Sequence, residues 1–109
     1  MNLLVIFVFI TITKNNDMEE LIEFLDRYKV KYLIEGENVI CNILDLSYNE
    51  IKELPESIGN LKCEILNLSK NEIKELPESI GSLKCERLYL SYNEITELPE
   101  QIGNLKCEI

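Results

Sequence analysis

The chain has 109 residues, a length that fits one domain. It carries 20 acidic and 11 basic residues, a net charge of −9, which argues against a nucleic-acid backbone or an anionic membrane surface as partner. The sequence contains no histidine, no phosphate-binding glycine loop and no metal-ligand cluster. We therefore expect neither an enzyme nor a bound cofactor or metal ion.

Residues 1–17 are predicted to be an apolar leader, with an unbroken, mostly apolar run from Leu3 to Ile12. This run is too short to span a bilayer as a helix, and it lacks the basic start and small-residue cleavage site of a signal peptide. Three interpretations stay open. The run packs on the first repeat as part of a cap, it is a weak targeting or anchoring segment, or Met18 is the working start.

Residues 18–40 are predicted to form an N-terminal cap made of a helix and a hairpin. Apolar residues at helical spacing over 18–28 favour an amphipathic helix. Alternation over 30–34, a turn at 35–38 and a run over 39–43 favour a hairpin that leads into the first repeat. The apolar helix positions are Met18, Leu21, Ile22, Leu25 and Tyr28.

The rest of the chain, 41–109, contains one 22-residue unit written three times, at 44–65, 66–87 and 88–109. Only six of the 22 positions differ among the copies. A fixed period in this range indicates a supersecondary unit stacked on copies of itself. A single unit buries too little apolar surface to offset its conformational entropy, so stability belongs to the stack.

Each unit opens with an alternating run such as Leu44-Asp45-Leu46, which predicts a short strand with its leucines inward. A proline follows in the second half of each unit, so the return is expected to be extended or a short helix. A glycine then marks the predicted bend. These glycines are Gly59, Gly81 and Gly103.

An asparagine follows three residues after the second leucine of each unit, at Asn49, Asn71 and Asn93. An amide between apolar positions needs partners, and it offers two donors and an acceptor. We expect a structural ladder in which each amide bonds the backbone of neighbouring turns. The alternative interpretation is a plain surface turn residue.

The pattern LxLxxNxIxxLPxxIGxL resembles the leucine-rich repeat family over 41–109, and it is most similar to the intracellular group related to Ras-binding and scaffold proteins. The resemblance implies an α/β solenoid with a short parallel sheet on its concave face and extended or short helical convex arms. Two departures are visible. The unit is one residue shorter than the usual 23, and cysteine stands at the first leucine position.

Those cysteines form one row at a single phase of the repeat, at Cys41, Cys63, Cys85 and Cys107. A row of parallel side chains cannot surround a metal ion tetrahedrally, and it is unfavourable for disulfides. We expect small buried hydrophobic side chains. A redox-sensitive row and a metal site are the alternatives.

Three of the six variable positions are predicted to face outward from the strands and turns, and tyrosine and arginine occur there. These two residue types are favoured interface anchors. This predicts a non-catalytic, cytoplasmic interaction module of scaffold or signalling type that binds a protein of unknown identity through its concave face. Unconstrained drift would also explain the variation. The predicted contact residues are Asp45, Tyr48, Asn67, Lys70, Arg87, Tyr89 and Tyr92.

The sequence stops at Ile109 with a third unit that copies the others, and it lacks the polar outer face of a terminal repeat. This predicts self-association, a partner docked on the last repeat, fraying, or a truncated product. A short structural fragment with no independent binding role is therefore the alternative function. A membrane-tethered receptor fragment is a third, which depends on residues 3–12 alone.

Overall fold

The computed structural model describes residues 16–109, with side chains from Met18 onward. The interpretations of the run from Leu3 to Ile12 lie outside the described residues. The described chain contains one α-helix, five strands and three 3-10 helices.

Helix α1, Asn16–Arg27, begins two residues before the predicted start. Its apolar stripe is buried, with Leu21 and Leu25 fully covered and packed towards the first repeat. Phe24, which the helical spacing did not single out, is buried as well and meets the Tyr28 ring edge-on at 5.2 Å. The helix therefore covers one side of the repeat core.

A hairpin follows the helix. Strand β1, Leu33–Glu35, pairs antiparallel with strand β2, Asn38–Ile40. The turn between them places Gly36 at φ 62°, a left-handed value that glycine adopts without steric cost. Val30 lies outside β1, so the strand is shorter than the alternation predicted, and all three β1 residues are exposed.

The repeats pair as parallel strands at a constant offset of 22 residues. Strand β3, Ile43–Asp45, pairs with β4, Leu61–Asn67, and β4 pairs with β5, Lys84–Tyr89. Strands β2 and β3 lie on the same side of β4 as one interrupted strand, and a single parallel bridge joins Arg87 to Glu108. The sheet is therefore mixed, because the hairpin adds one antiparallel strand.

Strands β4 and β5 begin before the leucine triplets that predicted them, and they include the Lys-Cys dipeptides. In each of these strands the leucine triplet covers only the later part of the residues that pair with the neighbouring strand. Its first leucine is buried in every repeat, at Leu44, Leu66 and Leu88, and its second is buried at Leu46 and Leu68 but only half-buried at Leu90. The strand prediction therefore found the correct face but a later start.

The return of each repeat contains a five-residue 3-10 helix that starts directly after its proline. These helices are η1, Glu56–Asn60; η2, Glu78–Ser82; and η3, Glu100–Asn104. Each proline has φ near −66° and extended ψ, a conformation that the pyrrolidine ring favours. Successive 3-10 helices pack on one another on the side opposite the sheet.

The glycines of the repeat lie inside these 3-10 helices, and none of them has a positive φ. A Cβ atom on Gly59 would lie 2.7 Å from the carbonyl oxygen of Ser79, and one on Gly81 would lie 2.5 Å from that of Gln101. A Cβ atom on Gly103 would meet nothing within 4 Å. At Gly59 and Gly81 glycine is therefore required by the close approach of the next repeat, a reason that the sequence did not indicate.

Candidate functional site

The outward side of the parallel strands carries matching side chains from each repeat. Pairing aligns Asp45, Asn67 and Tyr89 in one row, while the leucines that follow the same strands on the inward side, such as Leu66, are buried. The predicted contact residues all belong to this side. We call this surface the sheet face and define it by Asp45, Tyr48, Asn67, Lys70, Arg87, Tyr89 and Tyr92.

Two members of the sheet face are already engaged in their own turns. Asp45 Oδ1 accepts hydrogen bonds from the Ser47 amide at 3.0 Å and its hydroxyl at 2.6 Å. Asn67 Oδ1 does the same with Ser69, at 3.0 and 2.5 Å. These bonds lower the pKa of Asp45, with the Ser47 hydroxyl as the largest cause. Tyr89 holds this position in the third repeat and has no such acceptor.

The turn role of these residues was missed by the sequence analysis, which assigned them to binding alone. The available signal was the Asp-x-Ser and Asn-x-Ser spacing, because Asp and Asn side chains commonly bond the backbone two residues on. Asp45 and Asn67 therefore stabilise the turns that follow β3 and β4. Their Oδ1 atoms are already hydrogen-bonded and are less available to a binding partner.

Tyr48, Lys70 and Tyr92 form a stack across the three repeats. All three have a left-handed backbone, with φ of 58°, 58° and 57°, which is uncommon for residues other than glycine. The Lys70 ammonium lies 4.7 Å from the centroid of the Tyr48 ring and 5.7 Å from that of Tyr92, and it donates to the Tyr48 hydroxyl. The contact with Tyr48 is made at its hydroxyl, beside the ring, and the contact with Tyr92 is at a cation–π distance.

The stack remains open to a partner despite its internal contacts. Tyr48 is 70% exposed and Tyr92 is 77% exposed. The left-handed turn is held in place from behind, because the Lys70 amide donates to the Ser91 carbonyl at 2.9 Å. This bond fixes the backbone from which the Lys70 side chain extends between the two exposed rings.

Arg87 and Tyr89 form a second group on the sheet face. Arg87 lies 3.6 Å from a Glu108 carboxylate oxygen through its Nε atom. Its pKa is raised, first by a hydrogen bond with Tyr89 and then by the nearby charges. The seven predicted contact residues thus fall into a central stack, an arginine–tyrosine pair and two turn-forming side chains, all on one surface.

The amide of Asn71 bonds the turns of two repeats. Its Oδ1 accepts from the amides of Asn49 and Ile51, both at 3.0 Å. Its Nδ2 donates to the carbonyls of Leu46 at 3.0 Å and Leu68 at 2.9 Å. The side chain is buried, so these bonds satisfy backbone groups that water does not reach.

The other two asparagines differ in how fully they take part. Asn93 repeats the arrangement, accepting from the Ile73 amide at 3.0 Å and donating to the Leu68 carbonyl at 2.9 Å. Asn49 is exposed, and its amide nitrogen donates only to the Ser47 carbonyl within its own turn. The Asn49 side chain therefore hydrogen-bonds only within its own turn among the described residues. The Asn71 and Asn93 side chains each connect their own turn to the turn of the preceding repeat.

The cysteines lie in one row along the sheet, and Cys63 on β4 stands opposite Cys85 on β5 in the strand register. All four thiols are free; Cys41 and Cys63 are buried, and Cys85 and Cys107 are half-buried. Burial raises the pKa of Cys63 to about 12, and it also raises the pKa values of Cys41 and Cys85. The thiols of Cys41, Cys63 and Cys85 are therefore neutral at physiological pH.

Within residues 18–109, no group of three or more His, Cys, Asp or Glu side chains is arranged to hold a metal ion. No helix in the described part of the chain is long and apolar enough to cross a membrane. The arrangement that the side chains do form is an open surface of aromatic, cationic and hydrogen-bonding groups.

Near-identical units whose strands pair at a constant offset define a repeat protein. A family model for a leucine-rich repeat region matches residues 17–107, and the chain belongs to the leucine-rich repeat family. The match includes helix α1 and the hairpin, which the motif over 41–109 did not cover. No individual curated protein matches the chain. Proteins of this family are generally non-catalytic interaction modules.

Proposed function

We propose that this chain is a non-catalytic module that binds a protein partner through the sheet face, with the three repeats forming a short solenoid. The supporting observation is the stack of Tyr48, Lys70 and Tyr92, which presents two exposed aromatic rings beside one ammonium group. Tyrosine supplies a large contact area with few rotatable bonds, and it is enriched among residues that dominate binding energy.

The comparison of the three copies supports the same surface. The inward apolar positions are identical in every copy, and three of the six variable positions face outward from the strands and their turns. A module that binds a specific partner needs a constant interior and a face that differs from one repeat to the next. The sheet face has both properties.

We also propose a cytoplasmic location and a scaffold role in signalling. The four free thiols support this location, because disulfides are rare where glutathione keeps cysteines reduced. The similarity of the LPxxIGxL return to the intracellular group supports it as well. Fractionation of cells that express a tagged chain tests the location, and recovery in the secreted or membrane fraction would contradict it.

The binding proposal is tested with the double variant Tyr89→Ala/Tyr92→Ala. We expect it to reduce partner recovery by more than tenfold in a crosslinking pull-down, since such anchors contribute about 2 kcal/mol each. Glu56→Ala/Glu78→Ala is the control, because these exposed carboxylates lie on η1 and η2, away from the sheet. Circular dichroism should be unchanged in both. Equal partner recovery from both variants would place the binding surface elsewhere.

A second candidate function is self-association through the third repeat. Leu98 is 58% exposed, whereas the equivalent Leu54 and Leu76 are 8% and 6% exposed. A second copy of the chain would cover this apolar surface. Sedimentation equilibrium should then show a concentration-dependent dimer that Leu98→Lys abolishes. A monomer at all concentrations would remove this candidate and leave the sheet face.

A further inference from the structure

A groove of about 890 Å³ follows the amino-terminal ends of the parallel strands, away from the tyrosine stack. Its lining includes Leu33 and Ile40 of the hairpin, and Gly81, Ser82 and Leu83 at the end of η2. The groove is open along its length, and none of the sheet-face residues lines it. It is therefore a separate surface with its own chemistry.

The groove is rich in lysine although the chain as a whole has a net charge of −9. We call it the lysine groove and define it by Lys31, Lys62, Lys84 and Lys106. Two carboxylates, Glu64 and Glu86, also line it, so the ammonium groups outnumber the carboxylates two to one. A cationic groove on an acidic protein indicates a selective site for negative charge.

No carboxylate within residues 18–109 forms an ion pair with these lysines. Among the described side chains, the one ion pair joins Arg87 and Glu108, outside the set of groove lysines. Lys62 and Lys84 are direct partners in the strand pairing, where like charges are destabilising. The only polar side-chain partner of these two within residues 18–109 is Asn38, whose Oδ1 accepts from Lys84 at 3.3 Å. A bound anion would relieve this repulsion.

The floor of the groove adds no negative charge. Cys41, Cys63 and Cys85 line it, and burial raises the pKa of each thiol above its ordinary value. Lys62, Lys84 and Lys106 are exposed. Each ion pair with a ligand carboxylate is therefore a surface pair, worth under about 1 kcal/mol.

We propose that the lysine groove binds an acidic stretch of polypeptide, with its carboxylates on Lys62, Lys84 and Lys106 and its apolar side chains against Leu33 and Ile40. A nucleic acid fits less well, because Glu64 and Glu86 interrupt the lysines and the acidic remainder of the protein repels a continuous polyanion. A peptide with separated carboxylates meets the lysines without crowding these glutamates.

The test uses fluorescence anisotropy of a labelled peptide of alternating glutamate and leucine with the full chain. We expect binding that weakens with rising sodium chloride, and a loss of about tenfold in Lys62→Gln/Lys84→Gln, or ~0.7 kcal/mol per pair. Lys52→Gln/Lys74→Gln removes the same charge from two exposed lysines outside the groove, and it should lose less than twofold.

Equal losses in the two variants would overturn the proposal, because net charge rather than the groove would then control binding. Tighter binding of a labelled single-stranded oligonucleotide than of the peptide would overturn it as well. Amide chemical shifts of the unsubstituted chain give an independent check and should change at 31–33, 40–42, 62–64 and 81–86. The variant Tyr89→Ala/Tyr92→Ala should bind the peptide normally, so failure of the sheet face and failure of the groove are distinguishable.

Discussion

The substitution Gly81→Ala measures how closely the second and third repeats must approach. The added Cβ atom would lie 2.5 Å from the Gln101 carbonyl oxygen and 3.0 Å from the Gln101 Cβ, where ordinary contact begins at 3.4 Å. The two repeats must separate by about 1 Å, or the 3-10 helix must distort, and overpacking of this kind costs about 1–3 kcal/mol. Both partners are backbone or Cβ atoms, so no flexible side chain can move aside.

Gly103→Ala is the matched control, because it makes the same chemical change at a position with nothing within 4 Å. Loss of backbone freedom in the unfolded chain stabilises both variants equally, by about 0.4–1 kcal/mol. The difference between them therefore isolates the contact between repeats.

Urea unfolding followed by circular dichroism should place Gly81→Ala about 1–3 kcal/mol below Gly103→Ala, with a lower melting temperature by about 4–8 °C per kcal/mol. Gly103→Ala should equal or slightly exceed the unsubstituted chain. If the two variants unfolded at the same urea concentration, the close stacking of the repeats through their glycines would be refuted.

Three further outcomes are expected in urea unfolding. Asn71→Ala should lower the free energy of unfolding by at least about 3 kcal/mol, because buried backbone groups lose their hydrogen-bond partners. Asn49→Ala, at an exposed position, should lower it by under about 1 kcal/mol. Equal losses in the two variants would contradict the asparagine ladder. Ser57→Ala should leave stability unchanged or raise it by about 1 kcal/mol, since the buried Oγ has no partner within the described residues; a clear loss would reveal a hidden one. The pKa of Cys63 is raised from 9.0 to about 12, so its contribution to stability is complete below pH 9 and is lost as pH rises towards 12. Cys63→Ala should flatten this alkaline dependence, and an unchanged slope would place the thiol in water.

The repeat period and the identities of the inward residues were enough to predict the family and the parallel pairing. Pairing at an offset of 22 residues follows directly from three near-identical copies, because equivalent residues must occupy equivalent positions. Alternation around Leu44 correctly indicated which side chains face the core. These properties depend on hydrophobic pattern, which a single sequence displays in full.

Features that depend on contact between distant segments were predicted less well. The glycine requirement arises from the carbonyl of the following repeat, and a bend explains a glycine equally well when only the sequence is known. Strands β4 and β5 start early because Lys-Cys dipeptides pair across repeats, although lysine has a low strand propensity. The lysine groove is lined by both the hairpin and these strand starts, and the sequence predicted the hairpin but not the groove.

The candidate sheet face could be placed from the sequence, but its chemistry could not. Left-handed φ values at Tyr48, Lys70 and Tyr92 are rare for such residues, so no propensity predicts them. Without these values the rings would not flank the lysine. Binding by this face stays a prediction until the tyrosine variants are measured.

Regular pairing has a general consequence for charge in this protein, because any residue type repeated at one position forms a row. Apolar and amide rows gain from this alignment, whereas rows of like charge repel. At the stack the chain avoids a charged row by alternating tyrosine, lysine and tyrosine, and the single ammonium gains two aromatic neighbours. At Lys62 and Lys84 the like charges remain side by side, and neither residue forms an ion pair with a side chain of residues 18–109. The two rows thus differ in what they offer a partner. The tyrosine stack offers aromatic contact area around one ammonium group, whereas the lysine row offers adjacent positive charges.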